Sequence, residues 1–137
     1  MAERELLIVR HAPAADAGAG GDAARALTRE GRVEMAEAAA GLVRLVEALD
    51  AIASSPLLRA RQTAELIGAA FPQADRLTLP ELAPGFDREA LAGWIDAQPA
   101  RRLALVGHEP DLSSLVGWFI AGDGGAAVRM QIGRAHV

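Results

Sequence analysis

Two short apolar runs in this 137-residue chain end on histidine. Residues 7–11 read Leu-Ile-Val-Arg-His, and residues 103–108 read Leu-Ala-Leu-Val-Gly-His. Brief runs rich in branched aliphatic residues suit strands buried on both faces. Such a strand has no packing reason to finish on a cation or an imidazole. In open α/β sheets, ligands bind outside the carboxyl ends of the strands. Arg10, His11 and His108 are therefore placed where a ligand can reach them, and His11 and His108 are two of only three histidines.

The remaining apolar segments alternate with helical patterns, which predicts an α/β fold. The expected architecture has three layers, a mostly parallel central sheet with helices on both faces. Strands are expected near 5–9, 51–53, 77–79 and 102–107. The first helix is expected from a Thr28 cap to about Leu49, with Val33, Ala36, Ala40, Val43 and Val46 on its apolar face. Pro56 suits the first turn of a second helix ending near Phe71. Asp87 can cap a third through Trp94, and Pro110 with Asp111 opens a fourth to about Ile120. Residues 12–26, rich in Ala, Gly and Asp, read as a mobile loop. A passive connector serves there as well as a lid or docking surface. A turn is expected at Gly122, Gly124 and Gly125.

One domain is expected over residues 1–130. Val128-Arg-Met130 begins like a strand, whereas 131–137 lacks strand alternation and reads as an irregular tail. Those last residues also resemble the conceptual translation of a sequencing adapter. The expectation is a foreign ending on a natural chain that runs on, so the domain is truncated at its C-terminus and His136 carries no function.

Composition narrows the chemistry. There is no cysteine, which removes disulfides, thiolate metal sites and a thiol nucleophile. The formal net charge of −4 argues against nucleic acid as a partner. No apolar run approaches a membrane span. No signal segment precedes the first strand, which points to the cytoplasm. All 14 basic residues are arginine, consistent with codon bias in a GC-rich bacterium. Any oxyanion here must be held by arginine, histidine or backbone N–H groups. Without lysine there is no Walker-type phosphate loop and no Schiff base.

The residue types that remain suit a phosphoryl group. A neutral imidazole is a competent nucleophile toward phosphorus, and a guanidinium can fork two phosphate oxygens. Ser54-Ser55-Pro56-Leu57-Leu58-Arg59 passes from a strand tip to a helix start, a setting that favours anions. Arg59, one turn in, can point back toward the sheet, while Arg61 reads as a solvated surface charge. Val106-Gly107-His108 repeats the strand-tip pattern. Two histidines and Glu81 are a weak zinc set, because no short-range ligand pair exists and two arginines beside a dication would repel it.

Taken in order, Arg10-His11, Ser55-Pro56-x-x-Arg59-Ala60-x-Gln62-Thr63 and Gly107-His108 resemble the histidine phosphatase superfamily. The short chain and its Gly107-His108-Glu109-Pro110-Asp111 segment are similar to the SixA-like branch of phosphohistidine phosphatases. The resemblance spans about residues 5–130 and implies a phosphoglycerate mutase-like fold. It implies His11 as the phosphorylated nucleophile and Arg10, Arg59 and His108 as ligands of the phosphoryl oxygens. His108 is expected to serve best when protonated. The wider superfamily has glycine after the first histidine, and SixA-like members often have alanine, as Ala12 here. Glu81 matches the position of an acidic proton donor, with a solvent-exposed loop carboxylate as the equal alternative. No metal or cofactor is implied. The expected activity is hydrolysis of phosphohistidine in a protein. A small-molecule phosphomonoesterase acting on a phosphorylated metabolite is the alternative enzyme, and an inactive phosphate-binding module is the alternative outside catalysis.

Overall fold

A computed structural model describes residues 4–16, 18, 20–121 and 128–134; for Ile120 and 128–134 it gives the backbone path. The strands are β1 (Arg4–Arg10), β2 (Ala51–Ser54), β3 (Asp75–Thr78), β4 (Arg102–Gly107) and β5 (Val128–Arg134). The helices are α1 (Arg29–Leu45), α2 (Leu58–Ala70), α3 (Arg88–Ala97) and α4 (Asp111–Ile120). The sheet order is β3-β2-β4-β1-β5, and every pairing is parallel. None of the described helices is long and apolar enough to cross a membrane.

Side-chain alternation divides the core into two layers, one on each side of the sheet. Leu7 and Val9 of β1 join Ala104 and Val106 of β4 against α1 and α2. Leu6, Ile8, Leu103 and Leu105 face the opposite way, against α3 and α4. This is the expected three-layer fold.

The order of the strands places a crevice. From β1 the chain crosses on the α1 face to β2, beyond β4. From β4 it crosses on the α4 face to β5, beyond β1. The connections thus leave β1 and β4 in opposite directions, so their carboxyl ends flank a switch point of the kind that binds ligands in open α/β sheets.

Several local expectations shift. Helix α1 ends at Leu45, and Val46 and Leu49 enter the core from the non-helical segment that follows. Its buried residues are Gly31, Met35 and Ala39. Val33 and Val43 are 51% and 45% exposed, and Ala36 and Ala40 also face solvent. Alanine surrounds this helix, so periodicity does not determine its rotation. Contact with the preceding loop does. The Thr28 side chain accepts from Gly31 N, Thr28 N donates to Pro13 O, and a Cβ at Gly31 would stand 2.3 Å from that carbonyl oxygen.

Pro56 precedes α2 rather than entering its first turn, and α3 continues past Trp94 to Ala97. β3 lies at 75–78, and Pro80–Leu82 forms a 3-10 turn. The last strand also differs. β5 continues to Arg134, pairing Gly133 with Val9 and Arg134 with Arg10. An edge strand needs only backbone groups to extend a ladder, so the missing alternation after Met130 does not stop it. The turn expected at Gly122, Gly124 and Gly125, and His136, lie outside the described residues.

Candidate active site

Register assembles the site from three neighbouring strands. Arg10 is opposite Gly107, so the residues that follow, His11 and His108, emerge side by side. His11 N donates to Gly107 O at 3.1 Å, carrying the ladder one residue past β1. Ser54 is opposite Val106, and Ser55 N donates to Val106 O at 2.9 Å. Ser55, His108 and His11 therefore form a row along the carboxyl edge. The imidazole centroids of His11 and His108 are 5.2 Å apart, with the rings inclined at 54°.

His11 is held in one orientation. Its Nδ1 lies 2.7 Å from Ala12 O, where only an N–H can satisfy a carbonyl. This leaves the Nε2 lone pair directed outward, and Arg59 Nε donates to it at 3.3 Å. Ala12 is fully buried, and its N–H donates to Thr63 Oγ1, which donates in turn to Arg59 O. The turn after His11 is thereby fastened to the helix that carries Arg59. Burial is the main cause lowering the His11 pKa from 6.5. The bond to Ala12 O opposes it, and the guanidinium groups of Arg59, Arg10 and Arg25 add to it. The imidazole is therefore neutral at pH 7, the form that attacks phosphorus.

His108 is buried, and burial together with His11 and Arg59 lowers its pKa to about 4, against the opposing charges of Asp111 and Asp22. In the free protein His108 is therefore neutral near pH 7, and the protonated form expected to serve best is not the resting one. Its Nε2 lies 2.7 Å from Ser55 Oγ. Ser55 Oγ already accepts from Leu57 N at 3.2 Å. The hydroxyl and Nε2 share one hydrogen bond, which fixes the orientation of the His108 ring. Its Nδ1 is buried and has no hydrogen-bond partner among the described residues.

Arg59 is 6% exposed in the first turn of α2. Arg10 is exposed at the tip of β1, next to His11 in the chain, and Arg61 is exposed with its Nε on Pro56 O. Glu81 lies half-buried on the 3-10 turn after β3. None of the hydrogen bonds or ion pairs among the described residues joins it to His11, Arg59 or His108. At the start of α4 the Glu109 carboxylate accepts from Ser113 N at 2.9 Å, and Asp111 accepts from Gly85 N.

The structure adds Asp22, to which the sequence reading gave no role. Its backbone O accepts from Arg59 Nη1 at 2.9 Å, and its carboxylate pairs with Arg59 Nη2 at 3.2 Å. An acid three residues before Arg25, at the end of a glycine-rich stretch, was the available signal.

Residues 6–83 match the model of the histidine phosphatase superfamily, branch 1. The chain belongs to that superfamily. It is 40% identical over 112 residues to an uncharacterized protein of Picosynechococcus, covering 79% of this chain and 68% of that one. A SixA protein from Agrobacterium tumefaciens superposes with a TM-score of 0.75 at 30% identity, over 85% of this chain and 77% of that one. The protein histidine phosphatase SixA complexed with tungstate gives 0.73 at 31% identity, over 81% and 74%. These likenesses place the chain with the SixA-like histidine phosphatases. Among its described residues, no group of three or more histidine, aspartate or glutamate side chains is placed to hold a metal.

Proposed function

We propose that this histidine phosphatase hydrolyses phosphohistidine in proteins through a phosphohistidine intermediate on His11, with no metal. The observation that carries this reading is the His11 geometry. Its Nδ1–H is committed to Ala12 O, and its Nε2 lone pair faces Arg59 beside His108. The tungstate complex of a SixA relative supports an oxyanion pocket in this branch.

In the first step His11 Nε2 forms a bond to phosphorus as the P–N bond to the substrate imidazole breaks. The substrate ring, already protonated on its far nitrogen, departs as neutral imidazole. Water then attacks phosphorus, the P–Nε2 bond breaks, and orthophosphate leaves a neutral His11. The Arg59 guanidinium, His108 and Arg10 bind the equatorial oxygens, where positive charge and fixed donors lower the barrier most. Glu81 supplies a proton only to leaving groups more basic than imidazole.

Access favours a protein substrate. His11 is half-buried and Arg10 is exposed, so the nucleophile and its neighbouring cation can be reached from outside, while Arg59 and His108 are buried. A substrate panel tests the reading, comparing a phosphohistidine peptide with alkyl and aryl phosphates, with and without chelator. Preference for the peptide, insensitivity to chelator and loss of turnover in His11→Ala are expected. Faster turnover of a small phosphorylated metabolite would move the assignment to a phosphomonoesterase. Phosphate binding without turnover in the wild type would make the protein a binding module.

A further inference from the structure

The guanidinium of Arg59 has two edges in use. Both terminal nitrogens donate to one residue, Nη1 to Asp22 O at 2.9 Å and Nη2 to Asp22 Oδ2 at 3.2 Å. Two acceptors on a single residue occupy the Nη1–Nη2 edge. Nε donates to His11 Nε2 at 3.3 Å. The Nε–Nη2 edge therefore faces the nucleophile, and Nη2 retains a second N–H for it.

Asp22 is itself fixed. Its side chain is 62% exposed, and an isolated ion pair so exposed would contribute little. Here the carboxylate is shared: Oδ2 meets Arg59 while Oδ1 accepts from Arg25 Nη1 at 3.1 Å. Arg25 Nε is anchored on Ala15 O at 2.6 Å. The base of the loop is closed by Ala15 N on Ala26 O and Thr28 N on Pro13 O. Leu27 N donates to Gln62 Oε1 at 2.8 Å, tying the loop to α2, the helix that bears Arg59. Asp22 thus reaches Arg59 through a closed frame.

Building on the phosphoryl-transfer reading above, we propose that Asp22, backed by Arg25, is a positioning residue that locks the Arg59 guanidinium with its Nε edge toward the phosphoryl group on His11. A planar fork binds two oxygens only in one plane. Without Asp22 the fork can turn about its last torsions, and the phosphoryl group must order it on binding.

Orthophosphate affinity by calorimetry, steady-state kinetics on an aryl phosphate and histidine 15N spectra test this in the wild type, Asp22→Ala, Asp22→Asn and Arg59→Ala. Asp22→Ala is expected to weaken orthophosphate and lower kcat/KM by about 10-fold or more, the scale of one charged hydrogen bond. Asp22→Asn, which keeps an acceptor, should fall between. The His11 Nε2 resonance should shift in both variants, and Asp22→Ala should cost nothing further in an Arg59→Ala background. Unchanged or tighter orthophosphate binding in Asp22→Ala overturns the proposal, because the carboxylate then competes with phosphate or is idle. So does full additivity with Arg59→Ala. If the wild type neither binds orthophosphate nor turns over any phosphate, the phosphatase reading fails. The His11 resonance then decides the positioning role alone, and an unshifted signal ends it.

Discussion

Ser55 Oγ stands 2.7 Å from His108 Nε2 while accepting from Leu57 N, so a buried hydroxyl ties the imidazole of His108 to the start of α2. Ser55→Ala removes that tie and leaves a buried Nε2 without a partner. The expected result is a destabilisation of about 1–3 kcal/mol, the cost of an unsatisfied buried polar group, together with a fall in kcat/KM. Thermal melting and steady-state kinetics check both. Unchanged kinetics in a folded variant would show that the placement of His108 does not depend on Ser55.

The two site histidines titrate below their ordinary value, His108 at about 4. Between pH 7 and 9 neither should change charge, so kcat/KM is expected to lack the basic limb that a catalytic imidazolium would impose. In acid, protonation of His11 should abolish attack. NMR titration of the imidazoles gives the direct test. A His108 midpoint near neutrality would restore the protonated form as the working one.

The same shifts set a direction for stability. Both histidines bind protons less readily when folded than when unfolded, so the unfolded chain takes up more protons below pH 6.5. Stability is therefore expected to be complete above that value and to fall as pH drops from 6.5 toward about 4. Denaturant unfolding across this window measures it, and the fall should shrink in His108→Gln.

Gly31 and Val33, two residues apart on α1, should respond in opposite ways to substitution. Gly31→Ala places a Cβ 2.3 Å from Pro13 O, a backbone atom that cannot move without the loop. A loss of about 1–3 kcal/mol is expected, typical of overpacking, with activity reduced because the same loop carries Asp22. Val33→Ser, at a position 51% exposed, should change stability by roughly 0.5 kcal/mol or less. Melting curves of the two variants decide between this rotation of α1 and the one its apolar pattern suggested.

Glu81→Gln should be mild on phosphohistidine and severe on alkyl phosphates, since an alkoxide needs a proton that imidazole can do without. Relative kcat/KM on the two substrate classes measures the split. Equal losses on both would show that Glu81 acts on something other than the leaving group.

The local sequence by itself determined the strands that matter most. Leu7–His11 and Leu103–His108 carry apolar alternation on both faces and end on the residues that form the site, because a buried strand tolerates such residues only where it emerges. Arg59 was legible for a related reason, one turn beyond a strand tip. Tertiary structure decided what sequence spacing cannot encode. The register of β1 on β4 sets the 5.2 Å between the imidazoles, a relation between residues almost a hundred positions apart. The rotation of α1 was hidden because alanine on every side gives no preferred face, and it was settled by one close approach of Gly31 to Pro13. Asp22 stayed unread because an acid among glycines looks like any solvated loop residue. Only closure of the loop onto α2 brings it to Arg59, and that closure depends on hydrogen bonds between backbone groups and distant side chains.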